Sequence, residues 1–429
     1  MGWVEHAVWW QVYPLGFVGA VDEDPADAPA DAHRLLRLVG WLDYARDLGV
    51  SGLALGPVFA SSTHGYDTVD HLRIDPRLGT LDDLRTLVAE AHARGLRVLL
   101  DGVFNHVGRA HPLVAQAQAA AREGGAGLIR LNDDGTWHSF EGHEDLVTLD
   151  HSAPAVADLV AEVMTHWLDL GADGWRLDAA YAVPPEFWKP VLARVRAAHP
   201  DVYVVGEVIH GDYPAIVARS GFDSVTQYEL WKAIWSALAS ANFWELAWAL
   251  DRHAPFVEAF APWTFVGNHD VTRIATQLDD DALVALALVV LFTVGGTPAV
   301  YYGDEQAFRG LKEERFGGDD AIRPELPASP DQLAPEGWWA YRLHQELIGL
   351  RRRHPWLHRA TTRTVELSNE HLLYEVRAGD QALLVGLNLD AGEPWTCAIG
   401  SATLKAGLAE PVGPDWTLPP RGWGVWEAA

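Results

Sequence analysis

Thr80-Leu81-Asp82-Asp83-Leu84-Arg85-Thr86-Leu87-Val88-Ala89-Glu90-Ala91-His92-Ala93-Arg94-Gly95-Leu96-Arg97-Val98-Leu99-Leu100-Asp101 is the stretch on which the fold turns. Its apolar residues first recur at helical spacing and then run together. Thr80 is placed to cap a helix, because its hydroxyl satisfies a free N–H of the first turn. Gly95 is placed to stop it, because glycine enters the left-handed conformation without strain. The run 96–103 that follows reads as a buried strand, and Asp101 stands at its end.

The same unit repeats on both sides. Residues 50–58 predict a strand before it. After it come a helix over 153–170, with Ser152 ahead and Pro154 in its first turn, a strand over 174–178, a helix over 184–198 and a strand over 202–208. Residues 222–227 predict a further strand and 228–250 one Trp-rich helix. The series closes with a strand over 262–268, a helix over 280–294, a strand over 298–302 and a helix over 337–353. With 7–13 as the first strand, this makes eight. Alternation of this kind means parallel strands joined by crossover helices, and eight units predict an α/β protein built on a (β/α)8 TIM barrel. A doubly wound open sheet is the alternative, but it needs a glycine-rich phosphate turn after an early strand, and none is present.

Two segments break the rhythm. Residues 108–150 exceed an ordinary βα loop and predict a small inserted subdomain after the third strand, with a helix over 112–122, a glycine stop, and a turn at Asn132-Asp133-Asp134-Gly135. Residues 308–337 are rich in Pro, Asp and Gly and read as a loop after the eighth strand. Beyond Pro355, segments 361–367, 372–377, 382–389 and 395–399 alternate like antiparallel strands. The expected organisation is a barrel from 1–107 and 151–356, an inserted subdomain from 108–150 and a C-terminal β-sandwich from 357–429.

Composition narrows the function. The chain has 429 residues, 49% of them hydrophobic, which suits one large barrel with an appendage. With 32 Lys+Arg against 59 Asp+Glu the net charge is −27, a surface that repels nucleic acid and anionic membranes. A single cysteine, Cys397, excludes an intrachain disulfide and a thiolate zinc cluster. The N-terminus has no signal-peptide pattern and the longest apolar run, 282–294, is too short to span a bilayer, so a soluble cytoplasmic protein is expected. The 20 Trp serve either as core or as platforms for sugar rings. Trp9, Trp10, Trp137, Trp263, Trp338 and Trp339 lie near predicted strand ends or in loops, where the second use gains ground.

Four predicted strands end on an acid: Leu99-Leu100-Asp101, Arg176-Leu177-Asp178, Val204-Val205-Gly206-Glu207 and Phe265-Val266-Gly267-Asn268-His269-Asp270. In a (β/α)8 barrel these ends share one rim, where active sites sit. Any one of these acids reads equally well as a helix cap; four at matching positions do not. Metal-assisted enolate chemistry uses such a rim but needs a Lys or His base on a facing strand, and no lysine (Lys189, Lys232, Lys312, Lys405) falls on a predicted strand. Glycoside hydrolysis needs two carboxyls flanking the bond. Arg176, two residues before Asp178, shares its side of the strand and favours its ionised form.

These segments resemble the α-amylase superfamily (glycoside hydrolase family 13) over nearly the whole chain. Asp101–His106 resembles its first signature, Gly174–Ala180 the second, Gly206-Glu207-Val208 the third and residues 265–270 the fourth. Trp10-Gln11-Val12-Tyr13-Pro14, His64-Gly65-Tyr66-Asp67-Thr68, Val147-Thr148-Leu149-Asp150 and Tyr302-Gly303-Asp304-Glu305 agree with flanking regions. The resemblance implies a retaining α-glycosidase with Asp178 as nucleophile, Glu207 as general acid/base and Asp270 as the third acid, which favours the distorted, cationic transition state. Substrate contacts would come from Tyr66, Asp67, His106, Arg176, His269 and Arg323, with Asp101 as structural support. It implies α-1,4-glucosidic bonds in maltooligosaccharides or related α-glucans. The alternatives are glucosyl transfer to a sugar acceptor by the same acids and, more remotely, a non-catalytic sugar-binding subunit, which would lack one or more acids.

The departures are informative. The Lys-His that follows the nucleophile in many α-amylases is replaced by Ala179-Ala180-Tyr181, so the next sugar is left to the loops, and the small Ala179 is on the α-1,4 side of the family's pattern. No cofactor is implied for the chemistry. Asn105 matches a calcium ligand of relatives, but its partners would have to come from Asp133, Asp134, Glu141, Glu144, Asp145 and Asp150. Such acids at turns are more often solvated, so the balance is against a structural calcium. Residues 72–106 look most like the cyclomaltodextrinase and neopullulanase branch, which usually dimerises through an N-terminal β domain; with the first predicted barrel strand at residues 7–13, that mode of dimerisation is not expected. Nothing in the sequence sets the oligomeric state.

Overall fold

The computed structural model describes residues 2–29, 31–122, 127–132, 134–315 and 317–428. Eight short strands lie parallel: β1 (Trp9–Val12), β2 (Gly52–Leu55), β3 (Arg97–Gly102), β4 (Gly174–Leu177), β5 (Tyr203–Gly206), β6 (Ser224–Val225), β7 (Trp263–Phe265) and β8 (Thr297–Tyr301). Their order is β6-β5-β4-β3-β2-β1-β8-β7, and a parallel bridge from Thr226 to Trp263 joins the two ends into a ring. The expected barrel is the one observed. The open sheet is excluded, since it would leave β6 and β7 as free edges.

Helices return the chain over the outside: α1 (Leu42–Leu48), α2 (Leu81–Ala93), α3 (Pro154–Asp169), α4 (Pro185–Ala198), α5 (Tyr213–Ser220), α6 (Tyr228–Ala239), α7 (Trp244–Ala259), α8 (Asp281–Thr293) and α9 (Trp338–Arg353). Thr80 caps α2 as expected, accepting from the Asp83 N–H while the Asp83 carboxylate takes the Thr80 N–H. α8 is apolar all round and is correspondingly buried. The single helix expected over 228–250 is two. Ala241 turns left-handed (φ 49°), and the Asn242 carboxamide accepts the Trp244 N–H to start α7.

Side chains alternate between two layers. Trp9, Ala54, Leu99, Tyr203, Val205, Trp263, Phe265 and Ala299 fill the lumen, while Trp10, Leu53, Leu55, Val98, Leu100 and Val204 belong to the larger core shared with the helices. Inside the lumen Trp9 stacks on Tyr203 and Trp263, with ring centroids 6.1 and 5.9 Å away and planes 12° and 14° apart. Trp9, Trp10 and Trp263 are therefore core, not sugar platforms. Trp137, Trp338 and Trp339 are half-buried against the core.

Between β3 and β4 the chain forms a helix, Pro112–Arg122, and a three-stranded antiparallel sheet in which His143–Thr148 lies between His106–Gly108 and Ser139–Phe140. Asp133 and the expected glycine stop near residues 124–125 lie outside the described residues. After α9, β9 (Thr361–Leu367), β10 (His371–Ala378), β11 (Gln381–Asn388), β12 (Trp395–Cys397), β13 (Ala402–Gly407), β14 (Glu410–Val412), β15 (Asp415–Leu418) and β16 (Trp423–Ala428) form two antiparallel sheets, β9-β10-β11-β16-β13 and β12-β15-β14. Leu373, Trp395, Cys397, Leu418 and Trp426 form one apolar cluster there. Among the described residues no helix is long and apolar enough to cross a membrane.

Candidate active site

Strand parity carries the charge to one end of the lumen. Gln11 follows Trp9 by two residues, Asp101 follows Leu99, and Glu207 follows Val205, so all three point inward with Arg176 and Asp178. Arg176, 7% exposed, is the hub. Its Nη1 donates to both oxygens of Asp101 (2.9 and 2.7 Å) and to Asp178 Oδ1 (3.1 Å), and its Nη2 lies 2.6 Å from Glu207 Oε1. Glu207 also accepts from the Ala179 N–H (3.0 Å) and the Tyr228 hydroxyl (3.3 Å). Ala179 holds a left-handed backbone (φ 45°), and that turn aims its N–H at Glu207.

Asp270 joins through His269. The imidazole lies between the rings of Tyr13 and Tyr66, 6.1 and 5.3 Å away and nearly parallel to both. Its Nδ1 faces Gln11 Nε2 at 3.2 Å. An amide N–H donates, so Nδ1 accepts and the ring proton sits on Nε2. Nε2 contacts Asp270 Oδ2 at 3.1 Å and the Tyr66 hydroxyl oxygen, and Tyr66 donates in turn to Asp101 Oδ2 at 3.1 Å. Arg323 closes the other side. It donates from Nε to the His269 carbonyl (2.9 Å) and from Nη2 to Asp270 Oδ1 (3.0 Å), is held by Asp319 (2.8 Å), and lies over the Tyr13 ring at 4.8 Å.

The acids are electrostatically unequal. Burial pushes Asp101 up to about 6 against the pull of Arg176. Burial also raises Asp178 well above the carboxylate range; Arg176 opposes this, while Glu207, Asp101 and Asp270 add to it. Because these acids interact, the upward shifts belong to the coupled group rather than to one member. For Asp270 burial is overridden by His269, Arg323 and Arg176, which hold it at about 2. Burial takes His269 and His106 down to about 3, so both rings are neutral at pH 7. The Asp270 side chain is 35% exposed against 10% for Asp178 and 8% for Glu207, so the site opens on its side.

Of the expected site residues, the structure brings Tyr66, Asp101, Arg176, Asp178, Glu207, His269, Asp270 and Arg323 into one network. Three others are bound into neighbouring loops. His106 Nε2 donates to the Tyr66 carbonyl (3.1 Å), its Nδ1 faces Asn105 Nδ2 (3.0 Å), and its ring stacks on Phe140 at 4.8 Å. Asp67 accepts the Thr63 N–H and hydroxyl (3.1 and 2.8 Å). Asn105 gathers no cation cage from the described residues. Asp134 is engaged by Thr136, Asp150 by Ser152 and Glu141 by Tyr181, and no three His, Cys, Asp or Glu converge as a metal would require.

Gln11, Tyr228, Asn268 and Asp319 were not among the expected site residues. Asn268 ties the site together, donating to the Tyr228 hydroxyl (2.8 Å) and accepting the Asp270 N–H (2.9 Å). Counting parity from Trp9 finds Gln11. Nothing in the sequence marks Tyr228.

The family model "Alpha amylase, catalytic domain" matches residues 35–125 and 131–358. A cyclomaltodextrinase of Geobacillus thermopakistaniensis is 28% identical over 98% of this chain and 76% of its own length. A cyclomaltodextrinase of a Bacillus species is 30% identical over 93% of this chain and 75% of its own. Among solved structures, the ligand-free cyclic alpha-maltosyl-(1→6)-maltose hydrolase of Arthrobacter globiformis superposes with a TM-score of 0.82 at 25% identity, covering 100% of both chains. The chain belongs to the alpha-amylase family of glycoside hydrolases.

Proposed function

We propose that this chain is a retaining α-glycosidase that cleaves α-1,4-glucosidic bonds in maltooligosaccharides or related α-glucans by double displacement. The observation that carries it is one buried guanidinium, that of Arg176, bonded to Asp101, Asp178 and Glu207 at once. Asp178 attacks the anomeric carbon while Glu207 protonates the departing glycosidic oxygen, leaving a glycosyl ester on Asp178. Glu207, now ionised, takes a proton from the incoming water, whose oxygen displaces Asp178. Retention requires the two carboxyls to stand roughly 5 Å apart. Asp270, ionised at all working pH, stabilises the positive charge that develops on the sugar, and Arg323 and His269 fix its position. Similarity to enzymes named cyclomaltodextrinase supports α-glucans as the substrate class.

One observation favours transfer to a sugar as a second outcome. Tyr181 stands beside the acid/base, its N–H donating to the Glu207 carbonyl (3.1 Å), and its hydroxyl donates to Glu141 in the insertion (2.6 Å). With Phe140 and His210, at 6.3 and 6.2 Å, it lines the approach to Glu207 with rings on which an acceptor sugar can stack. Chromatography of products from maltotriose alone separates the outcomes: glucose and maltose mean hydrolysis, longer chains mean transfer. Undiminished activity of Asp178→Asn on a panel of sucrose, trehalose, maltose, isomaltose, maltotriose, cyclodextrin and starch would overturn the mechanism.

A further inference from the structure

Of the 20 Trp, only two are exposed, and they are one helical turn apart: Trp244, 56% exposed, and Trp248, 61% exposed, both on α7. Neither belongs to the network at the end of the lumen. Residues four apart share a helix face and are displaced by about 6 Å along the axis, the scale of one sugar ring. Leaving two indoles in water forfeits the burial that the other eighteen obtain in full or in part, so their exposure calls for a ligand that covers them.

Both rings are held in place. The Trp244 indole N–H donates to Asn369 Oδ1 at 2.9 Å. Trp248 carries the Arg252 guanidinium on one face at 5.0 Å, and Glu229 fixes that arginine through two bonds of 3.0 and 3.1 Å. The lysine beside the stripe is also paired: Lys232 with Glu245, which accepts in addition from the Ser236 hydroxyl at 2.6 Å, while the exposed Asp251 lies further along the same face. The surface between α6 and α7 is thus a rigid aromatic step with a polar border whose cations are paired. An anion finds no free cation among these groups. A neutral polyol with apolar ring faces finds both surfaces that it needs, and fixed rings lose little entropy when it docks.

Area decides against a protein partner. The two indoles expose roughly 300 Å² together, against the about 800 Å² per partner of a stable protein interface. Two or three sugar rings match them. We propose that Trp244 and Trp248 form a docking platform for an α-glucan chain, separate from the reacting acids, which holds polymeric substrate on the enzyme. The choice of an α-linked glucan rests on the proposed activity; the platform itself does not.

Native electrophoresis through gels cast with soluble starch tests it. Wild-type protein is expected to be retarded, and Trp244→Ala/Trp248→Ala to run free, with unchanged melting temperature and unchanged kcat/KM on maltotriose. Each single substitution should weaken binding about two- to tenfold. Should the double variant fail to fold, the same loss is required of Trp244→Gln or Trp248→Gln. A wild type that is not retarded, a double variant retarded like wild type, or equal retardation by a β-glucan gel overturns the proposal. Inactivity of the wild type on the glucoside panel would instead sink the proposed function, and the starch gel reads the platform independently of it.

Discussion

Two arginines, Arg176 and Arg351, are each 7% exposed, and their surroundings have nothing else in common. Arg176 lies among three carboxylates, which hold it in its charged form although burial opposes it. Arg351, on α9, donates from Nη1 to the carbonyls of Phe292 (3.1 Å) and Val294 (2.8 Å) and from Nη2 to that of Gly296, and among the described residues no carboxylate pairs with it. Burial and the neighbouring Arg352 push it down to about 9. Carbonyls at the end of α8 compensate a cation with fixed dipoles that never titrate, so Arg351 is a brace. Carboxylates compensate it with charges that exchange protons, so the surroundings of Arg176 can do chemistry. Between these two, the kind of acceptor and not the depth of burial makes the difference.

The largest test of that contrast is Asp178→Asn. Activity on maltotriose should fall by at least about 10⁴-fold in kcat. The melting temperature should hold or rise, because the change removes a buried like charge. Next come the arginines themselves. Arg176→Leu strips three buried carboxylates of their partner and should cost about 3–5 kcal/mol in denaturant unfolding. Arg351→Met leaves only neutral carbonyls unsatisfied and should cost about 1–3 kcal/mol, with kcat unchanged.

Glu305 supplies the mirror image, a buried acid with no cation. It accepts from the Tyr44 hydroxyl (3.0 Å), the Trp10 indole N–H (3.3 Å) and the Gly303 N–H (2.9 Å), and burial pushes it up to about 7. A raised folded-state value favours the fold below the ordinary carboxyl range, and that contribution is lost as pH rises through about 7. Glu305→Gln has no such proton to lose, so its stability relative to wild type should rise by about 3 kcal/mol between pH about 4 and 8, read from unfolding curves at both ends. The smallest effect is expected from Tyr228→Phe. Losing one neutral hydrogen bond to Glu207 should lower kcat about two- to tenfold with KM unchanged; a KM change instead would place Tyr228 on the substrate.

The barrel was legible because its cues are local and repeated. Thr80 and Gly95 bound one helix, and the acid at each strand end marks direction as well as register. Arg176, Asp178 and Glu207 were legible for the same reason: two-residue parity puts them on one side, and topology makes that side shared; Asp270, beyond the end of β7, was legible only from its motif. What escaped depends on long-range contacts. Tyr228 reaches Glu207 only because β6 ends beside β5, and Ala241 breaks the helix after α6 through a backbone conformation that an alanine does not announce. His106 is saturated by Tyr66 and Asn105, which no spacing rule reveals. Exposure was harder still: the tryptophans at strand ends are core, while Trp244 and Trp248, inside an unremarkable helical run, face solvent.

The stack of Tyr203, Trp9 and Trp263 in the lumen makes the molecule its own reporter of closure. These residues come from β5, β1 and β7, far apart in the chain, and their planes align only once the ring is complete. Near-parallel chromophores at this spacing couple optically. Their near-ultraviolet circular dichroism should therefore appear late in refolding, after helical signal is established, and time the long-range step that slows assembly of non-local folds.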